Sequence, residues 1–185
     1  FRFSLSSIFN ASVNSVKSLK IEESENRKGK HQNSNNNKDE KLSLEERERR
    51  MAIFHYNEGN KFYKEKNYTE AVILYKKALH HNKNFKEALI NLSTAYMKTM
   101  VFEKALKTLQ TGQGQFPQEP LFDYNYACYH SLRKDLVSGL LALKQAVKKG
   151  FKHFKRIEND PDLINLRKSE EYKKWMEKVS SERAK

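Results

Sequence analysis

Apolar side chains vanish from the chain after Ile21 and return at Leu42 and Leu44. Residues 21–41 (IEESENRKGKHQNSNNNKDEK) are polar and of low complexity. Such a segment cannot bury enough apolar surface to offset the entropy of ordering it, and it is expected to be disordered. Ser43-Leu44-Glu45-Glu46 then has the form of a capping box, with Ser43 as N-cap and Glu46 reaching back. It predicts a helix from Ser43 to about Lys64. No uninterrupted apolar run approaches the ~20 residues that span a bilayer.

Beyond Ser43 the apolar pattern repeats. An offset of 34 residues aligns Asn57, Asn91 and Asn125 in one column and Ala71, Ala105 and Gly139 in another. Tyr68, Phe102 and Leu136 form a third column; Tyr75, Leu109 and Leu143 form a fourth. The columns have a common physical sense. Two antiparallel helices approach closely only where one side chain is small. A large residue three positions earlier fills the space between them, and one four positions later packs a turn further along the same face. Each hairpin leaves an apolar face uncovered, so hairpins must stack to be stable. The predicted fold is all-α.

Composition adjusts this picture in two ways. Hydrophobic residues are 37% and charged residues 32% of the chain, which suits an elongated stack with a polar tail. The net charge is +13, and residues 51–185 contribute 25 Lys+Arg against 15 Asp+Glu. A basic fold attracts acidic peptides, anionic surfaces or nucleic acid, although lysines also simply solvate helix faces. The single cysteine, Cys128, excludes an intramolecular disulfide and a cysteine-based metal site. The first twenty residues hold six serines, three basic residues and no acid, the composition of an organellar transit sequence. Residues 1–42 are therefore read as a disordered basic leader pointing to a plastid or mitochondrion, with the cytoplasm as the alternative.

The stretch NEGNKFYKEKNYTEAVILYKKAL (Asn57 to Leu79) resembles a tetratricopeptide repeat (TPR), with Gly59, Phe62, Tyr68, Ala71, Tyr75 and Ala78 at the signature positions. A second unit matches at Tyr96, Phe102, Ala105 and Pro117, with Ser93 where the family often has Gly. A third matches through Ala127, Gly139 and Ala146. The resemblance implies a right-handed superhelical stack of three hairpins over residues 43–151, with units at about 52–85, 86–119 and 120–150. Residues 152–185 are expected to form a helical cap. There Asp160-Pro161 reads as N-cap and first helical residue, and Ser169 caps a last helix carrying Tyr172, Trp175 and Met176. This ending is similar to those of bacterial and plastid TPR proteins related to assembly factors.

The resemblance also implies a site. In TPR stacks the first helix of each pair lines a concave face. That face is expected to present Tyr56, Asn57, Asn60, Tyr63 and Lys64, then Ile90, Asn91, Thr94, Met97 and Lys98, then Leu121, Tyr124, Asn125, Cys128 and Ser131. Asparagine amides can pair with the backbone of an extended peptide, while tyrosine and methionine grip its side chains. Alternatively the asparagines only stiffen the stack. The expected partner is a protein or peptide, and the expected role is that of a scaffold or assembly factor. Co-chaperones of this family hold a terminal carboxylate with lysines, an arginine and asparagines. Asn60 and Asn91 match the two asparagines, but Tyr56, Leu121 and Asn125 replace the cations, so that alternative is a co-chaperone adaptor with an incomplete clamp.

Signals for catalysis and cofactors are missing. The histidines show no ligand spacing, and Gly112 and Gly114 in TGQGQFP lack the lysine and strand context of a phosphate loop. No serine sits in an elbow motif. The expectation is a non-catalytic protein without cofactor or metal. An RNA-associated protein is the remaining alternative. It rests on Lys144, Lys148, Lys149, Lys152, Lys155 and Arg156 lying close to Phe151 and Phe154.

Overall fold

The computed structural model describes residues 43–183, so the leader expected over residues 1–42 lies outside the described residues. Three helix hairpins follow one another: α1 (Leu44–Lys64) with α2 (Tyr68–His81), α3 (Lys86–Lys98) with α4 (Phe102–Gln115), and α5 (Pro120–Leu132) with α6 (Leu136–Lys148). The chain ends in α7 (Phe154–Asn159), a 3-10 turn (Pro161–Leu163), α8 (Ile164–Arg167) and α9 (Glu170–Arg183). There are no strands among the described residues.

Local chemistry explains where the helices start. Ser43 Oγ accepts from Glu46 N at 3.2 Å, while the Glu46 carboxylate takes Arg50 at 2.9 Å rather than reaching back. Asn67 caps α2 through Glu70 N, and Asp135 caps α6 through Ser138 N. Pro120 opens α5, where its missing N–H costs nothing.

The hairpin turns repeat with the same period as the packing columns. Lys66, Met100 and Lys134 adopt φ of 63°, 59° and 62°, the left-handed conformation that closes a helix. In each case the next residue's N–H reaches back five residues: Asn67 to Phe62 O, Val101 to Tyr96 O, Asp135 to His130 O, each at 2.9 Å. This is a Schellman closure formed without glycine, at a steric cost of about 1–2 kcal/mol per turn. Gly150, with φ 100°, makes the same closure after α6.

The columns pack as their chemistry predicts. Ala71 and Ala105 are fully buried, as are Tyr75, Leu109 and Leu143. Gly59 lies under Tyr75: a Cβ added there would come within 2.8 Å of the ring. Between the second and third hairpins, Phe122 rests on Gly112, where a Cβ would fall 2.1 Å from Cε1. The TGQG stretch, which the sequence places at the end of the second unit, is therefore a helical packing surface. The chain's last segment joins the main core. Phe151, Ile157, Leu163, Leu166 and Tyr172 are buried in the same cluster as Tyr56 and Tyr124. Asp160 caps the 3-10 turn by accepting from Asp162 N at 2.9 Å, and Ser169 Oγ accepts from Tyr172 N at 3.3 Å.

Candidate partner-binding groove

The first helices of the three hairpins, α1, α3 and α5, carry the residues expected to face a partner. Their side chains divide into two sets.

The first set forms an amide and phenol network between α1 and α3. Buried Asn60 accepts through Oδ1 from Tyr75 Oη at 2.8 Å and from Asn91 Nδ2 at 3.0 Å. Asn91 Nδ2 also donates to Tyr56 Oη at 3.2 Å. Burial first, then the neighbouring phenols of Tyr56 and Tyr63, push the Tyr75 hydroxyl far above its ordinary range, so it stays a donor. At the rim of this network Asn91 is half-buried. Asn57 is half-buried, with no side-chain hydrogen bond to another described residue, and Lys64 is exposed.

The second set is covered by the chain itself. The segment from Phe151 to Leu163 lies against α5 and α3 on the face that was expected to be open. Tyr124, fully buried, donates from Oη to Asp160 Oδ2 at 2.7 Å. Its ring stacks on Phe151 at 4.5 Å, and the Arg156 guanidinium lies 4.3 Å from its centroid. Lys98 Nζ donates to both carboxylate oxygens of Asp162, at 2.6 and 2.7 Å. Burial opposes the charge on Lys98, but the paired Asp162 carboxylate outweighs it and holds the ammonium above its ordinary range. Cys128 is buried beside this pair, and burial raises its thiol well above the usual value. Tyr63 and Met97 are buried too.

Asn125 belongs to neither set. It is buried, and its Nδ2 faces Ile90 O, Ser93 Oγ and Thr94 Oγ1 at 3.1–3.2 Å. The amide ties α5 to α3, and Thr94 is committed to the same contact. Of the fifteen residues expected on the concave face, Tyr63, Ile90, Thr94, Met97, Lys98, Leu121, Tyr124, Asn125, Cys128 and Ser131 are taken up by the fold. Tyr56 and Asn60 are buried supports. Asn57, Asn91 and Lys64 form the accessible rim. The residues that sequence reasoning missed are Asp160, Asp162 and Arg156, which fill the third-unit part of the groove. A signal was present: two carboxylates flank Pro161 in a segment set among basic residues, and such acids need cations nearby.

The basic cluster near the carboxyl end is split in the same way. Lys149 Nζ pairs with buried Asp123 at 2.6 Å, and Arg156 lies over Tyr124, while Lys144, Lys148, Lys152 and Lys155 are exposed. Among the described residues no group of three or more His, Cys, Asp and Glu is placed to hold a metal ion, and no helix is long and apolar enough to cross a membrane.

Residues 62–124 match the tetratricopeptide-repeat family model. That span runs from the last turn of α1 into α5, and the fold is a tetratricopeptide stack of hairpins with a helical cap. The chain is 39% identical over 72 residues to a protein of Arabidopsis thaliana described as chloroplastic, covering 37% of this chain and 22% of that protein's length. It is also similar in shape to a solved structure described as the first TPR of Spaghetti (RPAP3) bound to the HSP90 peptide SRMEEVD. The TM-score is 0.49 at 16% identity, over 74% of this chain and 96% of that one.

Proposed function

We propose that this chain is a protein-binding module that takes an extended segment of a partner protein along the open rim of α1 and α3. The observation that carries this reading is the arrangement around Asn91. Its Nδ2 is committed to Asn60 and Tyr56, which holds the amide in one plane at a half-buried rim. Asn57, at the same register position one unit earlier, has donors and acceptor unused by other described residues. An amide held in this way recognises peptide backbone at little entropic cost. The filled third-unit end sets the direction of the reading: a partner is bound by the first two hairpins. A clamp for a terminal carboxylate is disfavoured because Tyr56, Leu121 and Asn125 stand where its cations would be, and Lys98 is already paired with Asp162.

A scaffold or assembly role in a plastid is the finer reading. It is supported by the 39% identity to a chloroplastic protein and by the serine-rich, acid-free first twenty residues. The test is affinity capture from plastid extract with the full chain and with Asn57→Arg, which fills the rim from a half-buried side chain. A partner retained by the parent chain is expected to bind the variant about tenfold more weakly, at unchanged helicity. Equal retention by both chains would exclude the rim as the binding site.

A further inference from the structure

α1 is 21 residues long, whereas α3 and α5 have 13 each. Its additional turns carry Leu44, Arg47 and Met51, and with Phe54 they form an apolar face away from the core. Leu44 is 73% exposed, Met51 41% and Phe54 55%. The repeat gives this exposure a meaning. Positions 34 and 68 residues beyond Phe54 are Ala88 and Phe122, and both are fully buried; Phe122 is seated on Gly112 of the preceding hairpin. Phe54 thus holds a position that is buried in the two later units but is itself 55% exposed, its ring in edge contact with neighbouring His55.

The same face has a second regularity. Leu44, Arg47, Met51, Phe54, Glu58 and Lys61 follow one another at alternating steps of three and four, the seam of a two-helix coiled coil. Turned antiparallel about a point between Met51 and Phe54, this seam complements itself. Met51 meets Phe54 of the other helix, Arg47 meets Glu58, and the aliphatic stem of Lys61 lies over Leu44, with every contact made twice. Glu58 also pairs with Lys61 of its own helix. A face that accepted a different helix would have no reason to match its own reverse in both apolar and charged positions.

We infer that two copies of this chain associate through α1, antiparallel and symmetric, so that two stacks join end to end with their rims outward. The contact is independent of the partner-binding rim. It is tested by sedimentation or light scattering of the full chain across concentrations from micromolar to near-millimolar. The expected result is a monomer–dimer equilibrium. Phe54→Glu is expected to raise the dissociation constant at least ~tenfold without altering helicity or melting temperature. Arg47→Glu is expected to weaken the dimer, and adding Glu58→Arg to restore it, because the exchanged charges meet again across the axis. A chain monomeric at every concentration would overturn the inference, and so would a dimer indifferent to Phe54→Glu. A monomer that loses thermal stability with Phe54→Glu would overturn it too, and would assign the face to residues 1–42.

Discussion

Asn57, Asn91 and Asn125 share a register position and end in three different environments. Asn125 is buried and ties α5 to the backbone and hydroxyls of α3; Asn91 links two hairpins but keeps its rim; Asn57 has no side-chain hydrogen bond to another described residue. Side-chain type alone therefore does not separate binding from stiffening; burial does. Asn125→Ala is expected to cost about 1–3 kcal/mol, because it strips a donor from buried acceptors. Asn57→Ala is expected to stay within about 0.5 kcal/mol. Urea titrations of both variants check this, and comparable losses would mean that Asn57 is structural as well. Tyr124 shows the same lesson in a larger side chain: a residue that reads as a ligand grip is a core residue stacked on Phe151.

Among the helices, α4 makes a sharp comparison possible because it contains two glycines in one turn. Gly112 has no room for a Cβ beneath Phe122, whereas nothing lies within 4 Å of the position a Cβ would take at Gly114. Gly112→Ala is expected to destabilise by about 1–3 kcal/mol through overpacking. Gly114→Ala is expected to stabilise by up to about 1 kcal/mol through helix propensity. Thermal melts of the two variants should move in opposite directions; shifts of the same sign would show that Phe122 is not seated there. The small-residue column behaves similarly but is less tight. A Cβ at Gly139 would lie 3.5 Å from its nearest neighbour, ordinary contact, in keeping with alanine at the equivalent Ala71 and Ala105.

At the scale of the molecule, the carboxyl-terminal segment covers the third-unit part of the face shared by α1, α3 and α5. Its anchor is the Lys98–Asp162 pair, which reaches from the second hairpin to the 3-10 turn. Lys98→Met leaves a buried carboxylate without its cation and is expected to cost about 3–5 kcal/mol; adding Asp162→Leu is expected to recover most of it. Cys128 beneath this segment reports the change. In the parent chain its buried, raised thiol should alkylate slowly; in Lys98→Met it should react faster, and in the double variant slowly again. Labelling indifferent to Lys98 would show that the pair does not hold the segment down.

The 34-residue columns by themselves determined the hairpins, their small and large packing positions and the register of α1, α3 and α5. Those are local and nearest-neighbour matters, settled by side-chain size at fixed helical spacing. Ser43, Asp160 and Ser169 likewise announced helix starts, since capping depends on residues a few positions apart. Which groove residues remained accessible was decided only by the tertiary structure. That outcome depends on where a distant segment comes to rest, and the apolar residues that drive it there, Ile157, Leu163 and Leu166, state their need for burial without naming the surface. Lys98 and Asp162 are 64 positions apart, and a charge in sequence attracts any opposite charge. Only the folded chain brings these two together, because burying that apolar cap against the core sets the 3-10 turn beside Lys98.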